Sequence, residues 1–171
     1  MAINSVPNIH SIVICANIFV KKDGKYLVIR RSPEKIDLPN VVHPIGGKID
    51  KSEDPLLAAL RELQEEAGIS AKNVRLEAVI TEVPDPDDQQ YKETWLIFDF
   101  SGDYAGGEIK HTDEGELVWL TAEEVRQSSL FPSRRELVDH ILDEAVGPVF
   151  ARFIYDKYRN IVYKQITVTP R

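Results

Sequence analysis

Cysteine, methionine and tryptophan are scarce in this chain of 171 residues, which has one, one and two of them. The single cysteine, Cys15, excludes an intrachain disulfide and favours a reducing compartment. It lies in the apolar run SIVICANIFV, where a buried strand thiol is the default reading. No apolar run approaches the roughly 20 residues that a bilayer-spanning helix needs, so no membrane partner is expected. The opening MAINSVPNIH has no basic segment followed by a long apolar one, and a cytoplasmic location is expected. Positive charge is also in deficit, with 21 Lys and Arg against 28 Asp and Glu and a net charge of −7. That balance gives no broad footprint for gripping a phosphate backbone, so no nucleic-acid partner is expected, while small phosphorylated ligands held with the help of cations stay open. The 43% apolar and 29% charged content belongs to an ordinary globular protein. The length suits one domain over 1–171 with a core that needs neither disulfides nor structural metal.

Two β-rich runs, HSIVICANIFV and KYLVIRR, flank Lys22-Asp23-Gly24, and Asp-Gly between such runs predicts a hairpin over residues 10–31. SPEKIDLPNVVHPIGG, with three prolines and two glycines, reads as an irregular loop with one short strand. VRLEAVITEV, ETWLIFDF and ELVWL read as strands, the first two separated by the acidic turn PDPDDQQ. Thr121 with Glu124, and Ser133 with Glu136, form capping-box patterns opening two helices, the second ending at Gly147-Pro148. The tail over 147–171 predicts a C-terminal hairpin around DKYRN that covers a sheet edge, with a dimer surface as the alternative, so the chain is a monomer or a homodimer. The order of elements is that of an α+β fold.

Residues 46–69, GGKIDKSEDPLLAALRELQEEAGI, hold the chemistry. Asp54-Pro55 reads as an N-cap with proline in the first turn, and Gly68 as a left-handed C-terminal cap, which bounds a helix near 55–67. At 100° per residue Leu56, Ala59, Leu60, Leu63 and Ala67 form one apolar stripe, and Glu62, Glu65 and Glu66 share a separate arc. Like charges three or four residues apart repel by a few tenths of a kcal/mol per pair, so something must offset them. Clustered carboxylate oxygens suit a hard divalent cation, and the glycine pair ahead of them lets backbone approach a ligand closely.

From Gly47 the chain reads five residues, Glu53, seven residues, then Arg61-Glu62-Leu63-Gln64-Glu65-Glu66-Ala67-Gly68-Ile69, which resembles the signature of the Nudix hydrolases at every specified position. The resemblance covers 23 residues and implies an αβα sandwich about a mixed sheet. It also implies a pyrophosphohydrolase that uses Mg²⁺, or Mn²⁺, on a nucleoside diphosphate linked to another group. Carried over, Glu62, Glu65 and Glu66 resemble the metal ligands together with Gly47, while Arg61 and Glu53 resemble the pair that orients the helix. Gly46 and Gly47 would let backbone reach metal or phosphates. Glu65 and Glu114 are the two candidates for the proton acceptor; for Glu114, in KHTDEGELVWL, turn chemistry is the alternative. Lys48, Arg30 and Arg31 are candidate phosphate holders, the alternative for the arginines being a solvated strand end. His43 either reaches the substrate or is satisfied by backbone, and His111 reads as a surface residue. Trp95 and Trp119 read as core.

The region AEEVRQSSLFPSRRELVDH resembles the end of MutT-type members of that family, but Ser133-Arg134-Arg135 follows Phe131-Pro132 where an Asn or Asp would read an oxidised guanine. Those arginines face either an extra phosphate or the solvent. The expected activity is therefore conversion of a (d)NTP to (d)NMP and pyrophosphate. ADP-ribose or nucleotide-sugar hydrolysis comes second, and a non-catalytic nucleotide-binding sensor is a further alternative. An isopentenyl diphosphate isomerase would need a cysteine shortly before the box, and none is there.

Overall fold

The computed structural model describes residues 12–34, 38–85, 87, 93–112, 114–143 and 147–170. The predicted hairpin is formed by β1 (Ile12–Lys22) and β2 (Lys25–Arg31). Its turn residues Asp23 and Gly24 have φ of 50° and 76°, the positive pair that a tight hairpin turn requires. The irregular loop carries two short strands rather than the one expected, β3 (Val42–His43) and β4 (Ile45–Lys48). After the helix bounded by Asp54 and Gly68 come β5 (Ile69–Val83), β6 (Thr94–Gly107) and β7 (Gly115–Thr121). Helices α2 (Ala122–Gln127) and α3 (Pro132–Leu142) follow, then β8 (Val149–Tyr155) and β9 (Ile161–Val168).

All nine described strands join one mixed sheet in the order β3-β2-β1-β6-β5-β8-β9, with β4 beside β1 and β7 beside β2. The β1–β6 and β5–β8 pairs are parallel and the rest antiparallel. The C-terminal hairpin β8–β9 docks on β5, so it covers the sheet edge as expected. Strands β5 and β6 run beyond the apolar segments that announce them, through polar and glycine-containing stretches, because their mutual pairing continues there across three register shifts.

Helix α1 (Pro55–Glu62) covers one face of the sheet, burying Ala58, Ala59 and Leu63 against Ile18, Leu27 and Ile29. The other face is covered by α2 and α3, through Val125, Leu137, Val138 and Ile141. This is the αβα arrangement. Leu56, placed on the buried stripe by its spacing, is 38% exposed, because the helix meets the sheet only after its first turn, where Ala58 and Ala59 are fully buried.

Two helix boundaries differ from the sequence pattern. The Thr121 capping box is formed, with Glu124 donating its N–H to Thr121 Oγ1 at 3.2 Å and accepting from the Thr121 N–H at 2.7 Å. The Ser133 box is not. Pro132 already occupies the first turn of α3, Ser133 is buried, and its hydroxyl donates to Glu82 on β5 instead of capping. The helix ends at Leu142, short of Gly147-Pro148, and residues 144–146 lie outside the described residues.

Gly68 fixes where the helix begun at Asp54 stops, since its φ is 72° and a Cβ there would lie 2.7 Å from both the Glu108 carbonyl oxygen and Lys110 Cγ. Gly68→Ala is expected to lower unfolding free energy by about 2 kcal/mol, combining the left-handed penalty with the clash. Urea denaturation reads this as a lower midpoint at unchanged slope.

Candidate active site

Asp54 Oδ1 starts α1 by accepting the N–H groups of Leu56 and Leu57 at 2.9 and 3.0 Å, with Pro55 in the first turn. The helix then widens into a π turn over Leu63–Ala67 and ends at Gly68. A single wide turn of this kind re-aims the side chains it carries, here Glu65 and Glu66. Arg61 lies at the centre of the carboxylates. Its Nε and Nη2 donate to the two oxygens of Glu53 at 2.8 and 3.0 Å, a bidentate pair. Nη1 donates to Glu62 Oε1 at 2.9 Å and to Glu65 Oε2 at 3.0 Å, and Nη2 also reaches the Lys48 carbonyl at 3.2 Å. Glu53 in turn accepts the Asp50 N–H at 3.2 Å. The guanidinium holds the Glu53 carboxyl below the usual range, and Glu53 first, with Glu62 and Glu65, raises Arg61 above its own. Arg61 is therefore one answer to the repulsion between the acidic side chains.

Gly47 lies against Glu62, where a Cβ would come within 2.6 Å of Glu62 Cδ. The Gly46 N–H bonds to the Glu66 carboxylate. Burial, followed by the charges of Glu62, Glu114 and Glu65, pushes the Glu66 carboxyl up to about 7. Glu66 Oε2 is buried without a hydrogen-bond partner among the described residues.

The three carboxylates share one arc, as the helical spacing requires, but they do not converge as expected. Among the described residues no three acidic, His or Cys side chains are gathered as a cation cage, because Glu62 and Glu65 are turned to Arg61. The donor chemistry nevertheless fits a hard divalent cation. It is all oxygen, it includes a buried carboxylate oxygen without a protein donor, and a cation would offset the charge crowding that raises Glu66.

Glu114 lies in the turn just before β7 and pairs with Arg31 at 3.6 Å, beside the carboxylate arc. Arg30 points elsewhere and pairs with Glu116 at 3.1 Å on the exposed side of β2 and β7. Lys48 extends over the Trp95 ring, Nζ 5.9 Å from its centroid.

On the far side of the glycine pair is a cavity of about 380 Å³ whose walls include Gly46, Gly47 and Lys48. Trp95, Ile97, Phe131 and Tyr155 give it apolar and aromatic walls, and Asn17, Glu82 and Arg134 give it polar ones. Trp95 packs on the core as expected but also lines this space. Arg134, read from sequence as facing phosphate or solvent, is buried and ion-paired with the fully buried Asp99, which also accepts from Asn17 Nδ2 at 2.9 Å. Arg135 is turned to the carbonyls of Arg126 and Ser128. Glu82 accepts from the Ser133 hydroxyl and, at 3.4 Å, from the Tyr155 hydroxyl, and burial raises its carboxyl above the usual range. Sequence spacing misses Asn17, Glu82, Asp99, Tyr155 and Arg159 because they lie on separate strands and one hairpin loop. The only local signal is a charged or amide residue inside an apolar strand, as in ICANIFV and LIFDF. Cys15 also borders the cavity, but burial pushes its thiol up to about 11 and leaves it an unreactive wall.

His43 combines both of its alternatives. Its Nδ1 lies 2.7 Å from the Pro44 carbonyl oxygen, and the ring borders the cavity. Burial lowers its pKa from 6.5 to about 4, so the neutral ring donates from Nδ1. The unfolded chain binds a proton here near pH 6.5 and the folded chain only near 4. Across that window the unfolded state holds more protons, so stability falls as pH is lowered, by up to about 1.4 kcal/mol per pH unit for this one group. His43→Asn should remove that part of the slope in denaturation between pH 4 and 6.5; an unchanged slope contradicts the buried neutral ring.

The family profile of the NUDIX domain matches residues 9–141. An RNA pyrophosphohydrolase of Dinoroseobacter shibae is 32% identical over 139 residues, covering 71% of this chain and 84% of its own length. A CTP pyrophosphohydrolase of Escherichia coli is 29% identical over 126 residues, covering 70% and 84%. The crystal structure of a mutator MutT protein from Bacillus halodurans superposes with a TM-score of 0.77 at 21% identity, covering 90% of this chain and 97% of that one, a likeness of fold. With its signature complete and its domain matched over most of its length, this chain belongs to the Nudix hydrolases, enzymes that cleave pyrophosphate bonds.

Proposed function

We propose that the chain hydrolyses a nucleoside triphosphate to the monophosphate and pyrophosphate, with Mg²⁺ or Mn²⁺ as cofactor. The observation that carries this reading is the adjacency, across Gly46 and Gly47, of an aromatic-walled cavity of about 380 Å³ to an arc of carboxylates. A cavity of that size with a few polar groups suits a nucleoside, whose ring can lie against Trp95 or Tyr155. The two relatives named above are pyrophosphohydrolases of RNA and of CTP, and the second is named for a nucleoside triphosphate.

Each protein group then has a task. Arg61 and Glu53 hold the loop of the glycine pair at a fixed angle to α1 through their bidentate pair. Glu62, Glu65 and Glu66 are the carboxylates that would hold the cation, with Gly47 close enough for its backbone to approach it. When bound, a divalent cation neutralises the anhydride and lowers the pKa of the attacking water. Lys48, reaching from the glycine pair toward Trp95, supplies positive charge between nucleoside and phosphates. Glu65 and Glu114 have side chains 59% and 41% exposed, so an incoming water can reach either, and the proton acceptor is assigned to this pair.

A second reading is hydrolysis of ADP-ribose or a nucleotide sugar, because the aromatic cavity would take the nucleoside of either kind of substrate. A panel of nucleoside triphosphates, ADP-ribose and nucleotide sugars with Mg²⁺ separates the two by the products formed. Release of a nucleoside monophosphate and pyrophosphate from triphosphates, reduced by more than about a hundredfold in Glu66→Gln, is the expected outcome. In the same assay Glu65→Gln and Glu114→Gln should differ, and the proton acceptor is the one whose loss flattens the acidic side of the kcat profile, where protonation of the base lowers the rate.

A further inference from the structure

A second open space of about 700 Å³ shares Arg31 with the aromatic cavity. Its walls come from the end of β2 with the following loop, and from the segment leading into β7. Arg30, Arg31, Lys110 and His111 line it, with Ser32 and Thr112 adding hydroxyls, and Glu116 is the single carboxylate among its described walls. In a chain with a net charge of −7, Arg30, Arg31 and Lys110 against the one carboxylate of Glu116 give the described walls of the groove a local reversal of sign. Arg31 lines both spaces, so the groove continues the aromatic cavity past Glu114.

The groove is tied to the catalytic-box helix. The Lys110 N–H donates to the Ala67 carbonyl at 3.1 Å, and the Lys110 stem passes Gly68 so closely that a Cβ there would stand 2.7 Å from Lys110 Cγ. The other wall is held by the Ser32 N–H, which reaches the Glu114 carbonyl at 3.4 Å. The Arg30–Glu116 pair is 45% and 68% exposed. Pairs so open contribute little, so a phosphate can take the arginine from its carboxylate at small cost.

We propose that this groove binds the phosphates beyond the scissile bond, so that the protein selects nucleotides whose leaving group is a polyphosphate over those whose leaving group is a sugar phosphate. The proposal rests on the nucleotide-hydrolase reading and decides between its two forms. With a nucleoside in the aromatic cavity and the anhydride over the carboxylates, the chain of phosphates runs past Arg31 toward Arg30, Lys110 and His111. A neutral sugar would leave Lys110 facing water and Arg30 on Glu116. Several donors set around the groove also suit the many oxygens of a polyphosphate better than one phosphate.

Lys110→Gln tests this, because it keeps the stem over Gly68 and removes the charge. Kinetics with the diphosphate, triphosphate and tetraphosphate of one nucleoside and with a nucleotide sugar of the same base give the first readout. KM should rise about tenfold for the triphosphate and more for the tetraphosphate, stay within about twofold for the nucleotide sugar, and recover in Lys110→Arg. Equal changes for triphosphate and nucleotide sugar, or none, overturn the proposal. Calorimetric binding of inorganic tripolyphosphate gives a second readout that does not require turnover. Affinity should fall about tenfold in Lys110→Gln while that for the nucleoside monophosphate holds. If no nucleotide is cleaved but tripolyphosphate binding falls in this way, the groove stands and the hydrolytic assignment fails; equal tripolyphosphate binding by both proteins overturns the groove.

Discussion

One guanidinium organises the candidate catalytic region. Arg61 joins the loop that carries the glycine pair, through the Lys48 carbonyl and the two Glu53 oxygens, to the helix that carries Glu62 and Glu65. A lysine in its place could neutralise charge but could not engage Glu53 with two parallel bonds while reaching two further carboxylates, because only the planar fork has the directions for it. Five hydrogen bonds from one side chain also explain how a helix can carry three glutamates on one arc without fraying. The cost appears at Glu66, the one carboxylate of the three that Arg61 does not touch, which is half-buried with its carboxyl pushed up to about 7.

The sheet sets what lies on either side of that centre. The β1–β4 pairing places Gly46 and Gly47 opposite Asn17 and Ala16, so the strand that carries the glycines also fixes the rim of the aromatic cavity. Behind that rim Arg134 and Asp99 form a buried ion pair supported by Asn17, and breaking one member of such a pair costs several kcal/mol because the other charge stays buried. The docked C-terminal hairpin supplies Tyr155 and Arg159 to the cavity walls, so covering the edge of β5 also completes the cavity. The fold thus joins an aromatic-walled cavity to a more basic groove through Arg31.

What could be read in the sequence was what local interactions decide. Asp54, Pro55 and Gly68 bound the catalytic-box helix because caps act within one turn, and Asp23-Gly24 made the hairpin turn because few residues accept two positive φ values. The pairing of Arg61 with Glu53 followed from the resemblance and is present. The π turn over Leu63–Ala67 left no mark in the spacing, since a single added residue per turn does not disturb so short an apolar stripe. Ser133 misled because the same residue types that cap a helix also satisfy a buried carboxylate, and which happens is decided by Glu82, 51 positions away. The cavity was unreadable for the same reason, since it is assembled from β1, β5, β6, α3 and the last hairpin.

The claim that Arg61 acts by fixing the angle between loop and helix is tested most directly by a double-mutant cycle with Arg61→Lys and Glu53→Gln, measuring kcat and KM on the cleaved nucleotide. Each single variant should lose about a hundredfold in kcat with KM within a few fold, as expected for a misplacement of catalytic groups, and the double variant should lose no more than either single one. Full kcat in Arg61→Lys, or losses that multiply in the double variant, would contradict the account.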